Sequence, residues 1–398
     1  MRYFDRSPSK FPLTAISDYR SAAKKRLPKC LFAFLEGGAF DEVTIRKNRE
    51  DFQHIYLKRR VLKDVSHIDL KKEILGQKLA FPLILAPVGF AGCYARQGEI
   101  AAARAAAKVQ IPFSLSTVGI ASIEEIAKHT AHPFWFQFYA LKDKSFSLEL
   151  LQRAQANCPV LLLTVDLPVP GARYCYNRSM KGSGFSSFID MLLHIRWWVD
   201  VHLCGERFKI GNLPGTAPPL ADLPSMRKWI GSQINQSFSW RDFEWVRANW
   251  PGKIIIKGIL DPEDARLAEE AGADGIVVSN HGARHLDGTL STIAALPKIR
   301  DQVSEKFEVL IDGGITSGLD IVKALALGAD ACMIGKPWIY GLAARGERGV
   351  SEILAIFQNE LRIAMAHLGL ASVQAINRDI ICNPSLNSLN YSVDHLIF

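Results

Sequence analysis

Short apolar runs rich in β-branched residues recur along the chain, and each ends on a polar or turn-forming group. Eight stand out: LILAP (83–87), FSLST (113–117), WFQFY (135–139), VLLLTVD (160–166), IIIKG (254–258), GIVVSN (275–280), VLIDGG (309–314) and ACMIG (331–335). Runs of this length with these residues predict buried strands. Between most of them lie segments with helical spacing, at 98–109, 122–128, 262–271 and 317–327. Strand centres fall about 22 to 33 residues apart, except for a gap of about 93 between the fourth and fifth. That rhythm is strand, crossover helix, parallel strand, repeated.

The polarity decides between a closed barrel and an open sheet. Reactive groups fall at every C-terminal strand end: Pro87, Ser116, Gln137 and Tyr139, Thr164 and Asp166, Lys257, Ser279 and His281, Asp312, and Gly335. A barrel gathers its site on that face, whereas an open doubly wound sheet concentrates ligands at one switch point. The predicted fold is therefore α/β, a (β/α)8 TIM barrel, within a single domain. An N-terminal helical segment (1–80) precedes the barrel (81–350), which carries an insertion at 171–239. A C-terminal helix and tail (351–398) follow.

Glycine adds a cofactor signal at the ends of the seventh and eighth strands. IDGGITSG (311–318) and MIGKP (333–337) put Gly-rich backbone ahead of helices, where such barrels hold a phosphate on free N–H groups. No GxGxxG follows a first strand, so a dinucleotide on a Rossmann unit is not indicated.

Composition narrows the class. With 48% hydrophobic and 22% charged residues, the 398-residue chain reads as packed rather than disordered. Seven scattered cysteines without a CxxC pair argue against a disulfide framework or a zinc site, and for a reducing compartment; no metal is expected. The start, MRYFDRSPSK, lacks the apolar core of a signal peptide, and no apolar run is long enough to span a membrane. The net charge is +8, but no finger, basic zipper or Lys/Arg block points to nucleic acid. Residues 171–239 hold eight Lys/Arg against four Asp/Glu, so the basic excess is concentrated in the insertion. Its stretch SSFIDMLLHIRWWVDVHL (186–203) mixes apolar residues, tryptophans and charges. That suits a membrane interface, or else a lid on the barrel or a subunit contact.

The decapeptide SNHGARHLDG (279–288) resembles the signature of the FMN-dependent 2-hydroxy-acid dehydrogenase and oxidase family. LAPVG (85–89), LST (115–117), QFYALKD (137–143), TVDLPVPGARY (164–174), IIKGILDPEDA (255–265), IDGG (311–314) and KALALGAD (323–330) match in order. The likeness runs from about residue 14 to 375. PVPGARY, LDPEDA and the FLEGGA stretch resemble the bacterial respiratory L-lactate dehydrogenase branch.

The resemblance implies FMN as cofactor and oxidation of a small L-2-hydroxy acid, lactate foremost. His281 would be the general base, with Asp166 pairing with its imidazolium and raising its pKa. Arg284 and Arg173 would hold the substrate carboxylate, and Tyr139 the hydroxyl or carbonyl oxygen. Lys257 would stabilise reduced anionic flavin; its other reading, a barrel-lining lysine with an internal partner, is the less favoured one in so apolar a strand. Ser116, Gln137, Thr164 and Ser279 would bond the isoalloxazine edge, with Pro87, Val88 and Gly89 approaching through backbone. Asp312, Gly313, Gly314, Gly335 and Lys336 complete the expected cofactor set.

Three positions depart from the family pattern. Phe34 stands where a substrate-binding tyrosine is usual, Thr316 where an arginine reaches the phosphate, and Lys336 where another arginine is usual. His285 replaces a usual glutamine and reads as a harmless neighbour of the active loop. The resemblance further implies a homotetramer. With the membrane segment it suggests a peripheral enzyme on the cytoplasmic face of the inner membrane, passing electrons to a quinone. An oxidase reducing oxygen to peroxide is a second reading, and a flavin-poor binding scaffold a third.

Overall fold

The computed structural model describes residues 13–180, 189–190, 192–203, 210–213 and 223–382. Residues 186–188 and 191 of the apolar insertion, and the tail from 383, lie outside the described residues.

All eight predicted strands form: β1 (Leu83–Leu85), β2 (Ser114–Ser116), β3 (Trp135–Phe138), β4 (Val160–Thr164), β5 (Lys253–Ile259), β6 (Gly275–Val278), β7 (Glu308–Ile311) and β8 (Ala331–Ile334). They pair in parallel in the order β1-β8-β7-β6-β5-β4-β3-β2. The Leu85 amide donates to the Pro112 carbonyl at 3.0 Å, beside a parallel bridge between Leu85 and Phe113, and this closes the barrel.

Strand alternation splits the buried residues into two clusters. Ile84, Trp135, Val160, Leu162, Ile255, Val277, Leu310 and Met333 pack together as one, the filling of the barrel. Their neighbours along each strand, such as Leu85, Leu161, Ile256, Val278 and Ile311, join the core shared with the helices. A hairpin pairing residues 72–74 with 77–79 adds Ile74 and Leu79 to the inner cluster. Gln77 on that hairpin accepts from the Trp135 indole at 3.1 Å and so stops the N-terminal end of the barrel.

The predicted crossover helices appear with the caps their sequences encode. Ser122 and Glu125 form a capping box on Ile123–His129, Asp261 caps Pro262–Glu270 and Ser317 caps Gly318–Ala326. The last helix, Lys336–Leu368, runs through residue 350, where the sequence division between barrel and C-terminal segment falls. It bends at Arg345–Gly346, where Gly346 has φ +61°. The described part of the N-terminal segment is helical only as far as residue 53, in Ile16–Arg26, Lys29–Glu36 and Val43–Gln53; strand Tyr56–Leu57 and the hairpin follow.

One irregularity positions the site. β5 shifts register against β6 between Lys257 and Ile259, with Gly258 at φ +115°. A Cβ on Gly258 would stand 2.5 Å from the Asp166 Cβ, so only glycine leaves room for that carboxylate beside Lys257.

Candidate active site

The strand ends surround a cavity of about 980 Å³, lined by apolar residues with a few convergent polar groups. His281, Arg284, Arg173, Tyr139, Lys257, Phe34, Asp312 and Lys336 all line it. Backbone and side chains of Pro87, Val88, Gly89, Ser116, Gln137, Thr164, Gly313, Gly314 and Gly335 complete the wall. Ser279 and Asp166 sit just behind, bonded to Lys257 and His281.

His281 leaves β6 in a left-handed turn, with φ +55° at His281, +62° at Gly282 and +59° at Ala283. Such a run is costly for non-glycine residues and persists only where the surroundings fix it. Here the His281 amide donates to Ser279 Oγ at 3.1 Å, the Ala283 amide to the Asn280 carbonyl at 2.8 Å, and the Ala39 amide to the Ala283 carbonyl at 2.8 Å. The imidazole Nδ1–H donates to Asp166 Oδ1 at 2.9 Å, which leaves Nε2 as the basic nitrogen. Burial alone would raise the Asp166 carboxyl; His281 first, then Lys257, outweigh it and hold Asp166 well below the usual carboxylate range.

Tyr139 is buried, and burial together with the Asp166 charge pushes its phenol up, so it remains a hydrogen-bond donor. Lys257 does have an internal partner: its Nζ lies 2.8 Å from Asp312 Oδ2 and donates to Ser279 Oγ at 2.6 Å. The lysine is thus both paired and part of the cavity wall.

The two arginines converge on the end of helix Lys29–Glu36. Arg173 donates to the Phe34 and Gly37 carbonyls, the latter at 2.9 Å. Arg284 donates to the Leu35 carbonyl at 2.9 Å and to that of Phe34 at 2.6 Å. Both guanidiniums lie against the Phe34 ring, 4.7 Å and 5.4 Å from its centroid. Phe34 therefore lies at the cavity between the two arginines.

Lys336 bonds to backbone at the end of helix Lys29–Glu36. Its Nζ donates to the Glu36 carbonyl at 2.9 Å, on the arginine side of the cavity. Burial, then the neighbouring Arg284 charge, push its ammonium down to about 7. Lys336 lines the cavity together with the other residues expected to hold the cofactor.

Two residues gain consequence here: His285, which sequence marks only as a harmless neighbour of the active loop, and Arg49, which it does not single out. His285 packs edge-on against His281, with ring centroids 4.3 Å apart, and neither of its buried ring nitrogens has a hydrogen-bond partner among the described residues. Burial, then the His281 charge, hold it well below its usual range, so it is neutral. Arg49 reaches from helix Val43–Gln53 to donate to the Thr316 hydroxyl after β7. In sequence Arg49 sits within RKNRED, which reads as a solvated helix face.

The donor set fits a flavin. Gln137 Nε2 and Thr164 Oγ1 are buried without hydrogen-bond partners among the described residues, next to Ser116, whose hydroxyl donates to Gln137 Oε1 at 3.0 Å. Orphaned polar atoms on an otherwise apolar wall need a polar ligand edge.

Comparison with known proteins agrees. Residues 23–383 match the family model described as FMN-dependent dehydrogenase. The chain is 47% identical over 377 residues to an L-lactate dehydrogenase of Chromohalobacter salexigens, covering 94% of this chain and 96% of that protein. It is 45% identical to that of Alcaligenes faecalis, covering 93% and 98%. Among solved structures, the monotopic membrane protein (S)-mandelate dehydrogenase is similar at a TM-score of 0.88 and 36% identity, over 94% of this chain and all of that one. A mandelate oxidase is similar at 0.80 and 35%, over 92% and 97%. The fold and the resemblance read from SNHGARHLDG are borne out: the chain belongs to the FMN-dependent dehydrogenase family, acting on 2-hydroxy acids.

Proposed function

We propose that this protein oxidises L-lactate, or a close L-2-hydroxy acid, to the 2-keto acid and passes the electrons to a membrane quinone. The observation that carries the chemistry is the His281–Asp166 pair facing a cavity shared by Tyr139, Arg284, Arg173 and Lys257. FMN, when bound, would supply the two-electron acceptor. Arg284 and Arg173 bind the carboxylate, Tyr139 donates to the substrate oxygen, and His281 Nε2 takes the proton. Asp166 fixes the tautomer and balances the imidazolium charge. Lys257 offers positive charge where electrons arrive. Anaerobic bleaching of the flavin by a panel of L- and D-2-hydroxy acids tests the activity; no bleaching by any L-acid would overturn it.

The quinone and the membrane surface rest on the insertion. Ile189, Leu192, Leu193, Ile195 and Leu203 are exposed there, an apolar patch that water alone would not favour. No helix among the described residues is long and apolar enough to cross a membrane. Trp197 is turned inward, its indole donating to the Cys93 carbonyl at 2.8 Å, so the leucines and isoleucines make the contact rather than this tryptophan. Changing Leu192, Leu193 and Ile195 together to Ser is expected to move the protein from membrane to soluble fractions, with flavin still reducible by substrate. If the parent protein never sediments with anionic vesicles at low salt, the segment is a lid.

A homotetramer on the cytoplasmic face belongs to the same proposal, and sedimentation equilibrium tests its size. Oxygen as acceptor remains the competing outcome, read by peroxide release during turnover.

Phe34 sharpens the substrate. A ring without a hydroxyl, between the two arginines, leaves the carboxylate one hydrogen bond short and makes the pocket less polar. Glycolate and lactate should bind weakly, and longer apolar 2-hydroxy acids better. Phe34→Tyr is expected to raise lactate kcat/KM about tenfold, the value of one restored hydrogen bond. Steady-state kinetics on lactate and a longer homologue decide it; unchanged or poorer lactate turnover would mean another group already supplies the bond.

A further inference from the structure

We infer that Arg49 supplies the cation for the cofactor's phosphate, reaching it across Thr316 from a helix outside the barrel. This rests on the reading of the cavity as an FMN site. (β/α)8 barrels hold phosphates at the loops after strands seven and eight. Here the β7 loop carries Gly313 and Gly314 at φ +89° and +83°, followed by Thr316. That loop brings no cation of its own, since Thr316 and Ser317 stand where the chain could have placed one.

The cation arrives instead by packing. A Cβ on Gly314 would lie 1.8 Å from the Asn48 carbonyl, so the loop rests directly on helix Val43–Gln53 and tolerates nothing but glycine there. Asn48 fixes the contact from the other side: it donates to Asn280 Oδ1 at 2.9 Å and accepts from Asn280 Nδ2 at 2.8 Å. The next residue along the helix is Arg49, and it donates to the Thr316 hydroxyl. Thr316 in turn is held by Asp320, which accepts from its amide at 2.9 Å and its hydroxyl at 3.3 Å. Arg49 and Thr316 both line the cavity.

The other cations lining the cavity are directed elsewhere. Lys336, Arg284 and Arg173 reach the carbonyls around the end of helix Lys29–Glu36, Arg46 donates to the Asp41 carbonyl at 3.0 Å, Arg20 pairs with Glu36, and Lys257 with Asp312. No carboxylate pairs with Arg49 among the described residues, although Asp320, Glu50 and Glu360 lie at this end of the molecule. A guanidinium held by one neutral hydroxyl keeps most of its donors for a phosphate, which it matches as a planar fork.

FMN and riboflavin differ only by the phosphate, so their affinities isolate this contact. Apoprotein is prepared from the purified holoenzyme, and each flavin is titrated by quenching of its fluorescence. Arg49→Ala is expected to weaken FMN binding about 10- to 100-fold while leaving riboflavin unchanged. Adding Thr316→Arg to Arg49→Ala should restore the preference for FMN, because it puts a guanidinium back at the same place from the loop side. Because Arg49 is exposed, its loss should leave folding intact, and unchanged riboflavin affinity reports this directly. An Arg49→Ala protein that keeps the parent's FMN-over-riboflavin preference overturns the role of Arg49 and leaves the FMN site standing. A parent protein that binds neither flavin overturns the site itself, and the inference with it.

Discussion

Replacing His281 with Gln is expected to leave the flavin bound and slow its reduction by substrate about 10²- to 10⁴-fold, the usual worth of a positioned general base. Glutamine is similar in size and can still donate to Asp166, so the loop from Ser279 to Ala283 keeps its bonds. What glutamine lacks is a nitrogen that accepts a proton. The bonds of Gln137, Ser116, Lys257 and Asp312 around the cofactor site do not involve His281, so flavin content should match the parent. Anaerobic stopped-flow reduction separates the chemical step from reoxidation. A rate within about tenfold of the parent would remove His281 from the role of base. The pH dependence carries a sign. The pair lowers the Asp166 carboxyl below its ordinary 3.8, so its stabilising effect is complete above that pH and is lost only as pH falls further. Activity lost between about pH 5 and 7 therefore reports another group titrating, not Asp166.

The strands were legible because barrel strands are buried on both faces and turn polar only where they leave the sheet. His281, Asp166, Tyr139 and Lys257 share that property: each is a polar group ending an apolar run, so local pattern alone marks them. Arg49 has no such mark. It meets Thr316 across 267 residues of chain, and the contact exists only because Gly314 lets a helix outside the barrel sit on the β7 loop. Lys336 is a related case. Position after a Gly-rich turn gives the place of its Cα, but the Nζ follows the nearest acceptor, which is the Glu36 carbonyl. In the insertion, sequence identified an interfacial mixture of residues without saying which face is outward. Trp197 points in because an indole N–H needs an acceptor and Cys93 offers one, while the leucines have no such demand. His285 reads as harmless in sequence because only the replacement of a glutamine shows there; its packing against the His281 ring becomes visible only with the turn built.

Lys257→Met is expected to destabilise the FMN-free protein by about 3–5 kcal/mol, the cost of leaving one member of a buried ion pair uncompensated. Lys257 and Asp312 are nearly inaccessible, their side chains 4% and 10% exposed. Asp312 Oδ1 already lacks a partner among the described residues, so removing the ammonium strands the whole carboxylate against apolar strands β6 and β7. Methionine fills the volume without strain, which confines the loss to charge. Changing Asp312 to Asn in the same chain removes the stranded charge and should recover most of the stability in chemical denaturation. Flavin reduction should not recover with it if Lys257 acts on the reduced flavin as proposed, because the double variant still lacks that positive charge. The two readouts thus separate an ion pair kept for folding from a lysine kept for redox chemistry. Recovery of both in the double variant would make Lys257 a structural partner of Asp312 and nothing more. A single variant as stable as the parent would mean that the Lys257–Asp312 pair contributes nothing to folding.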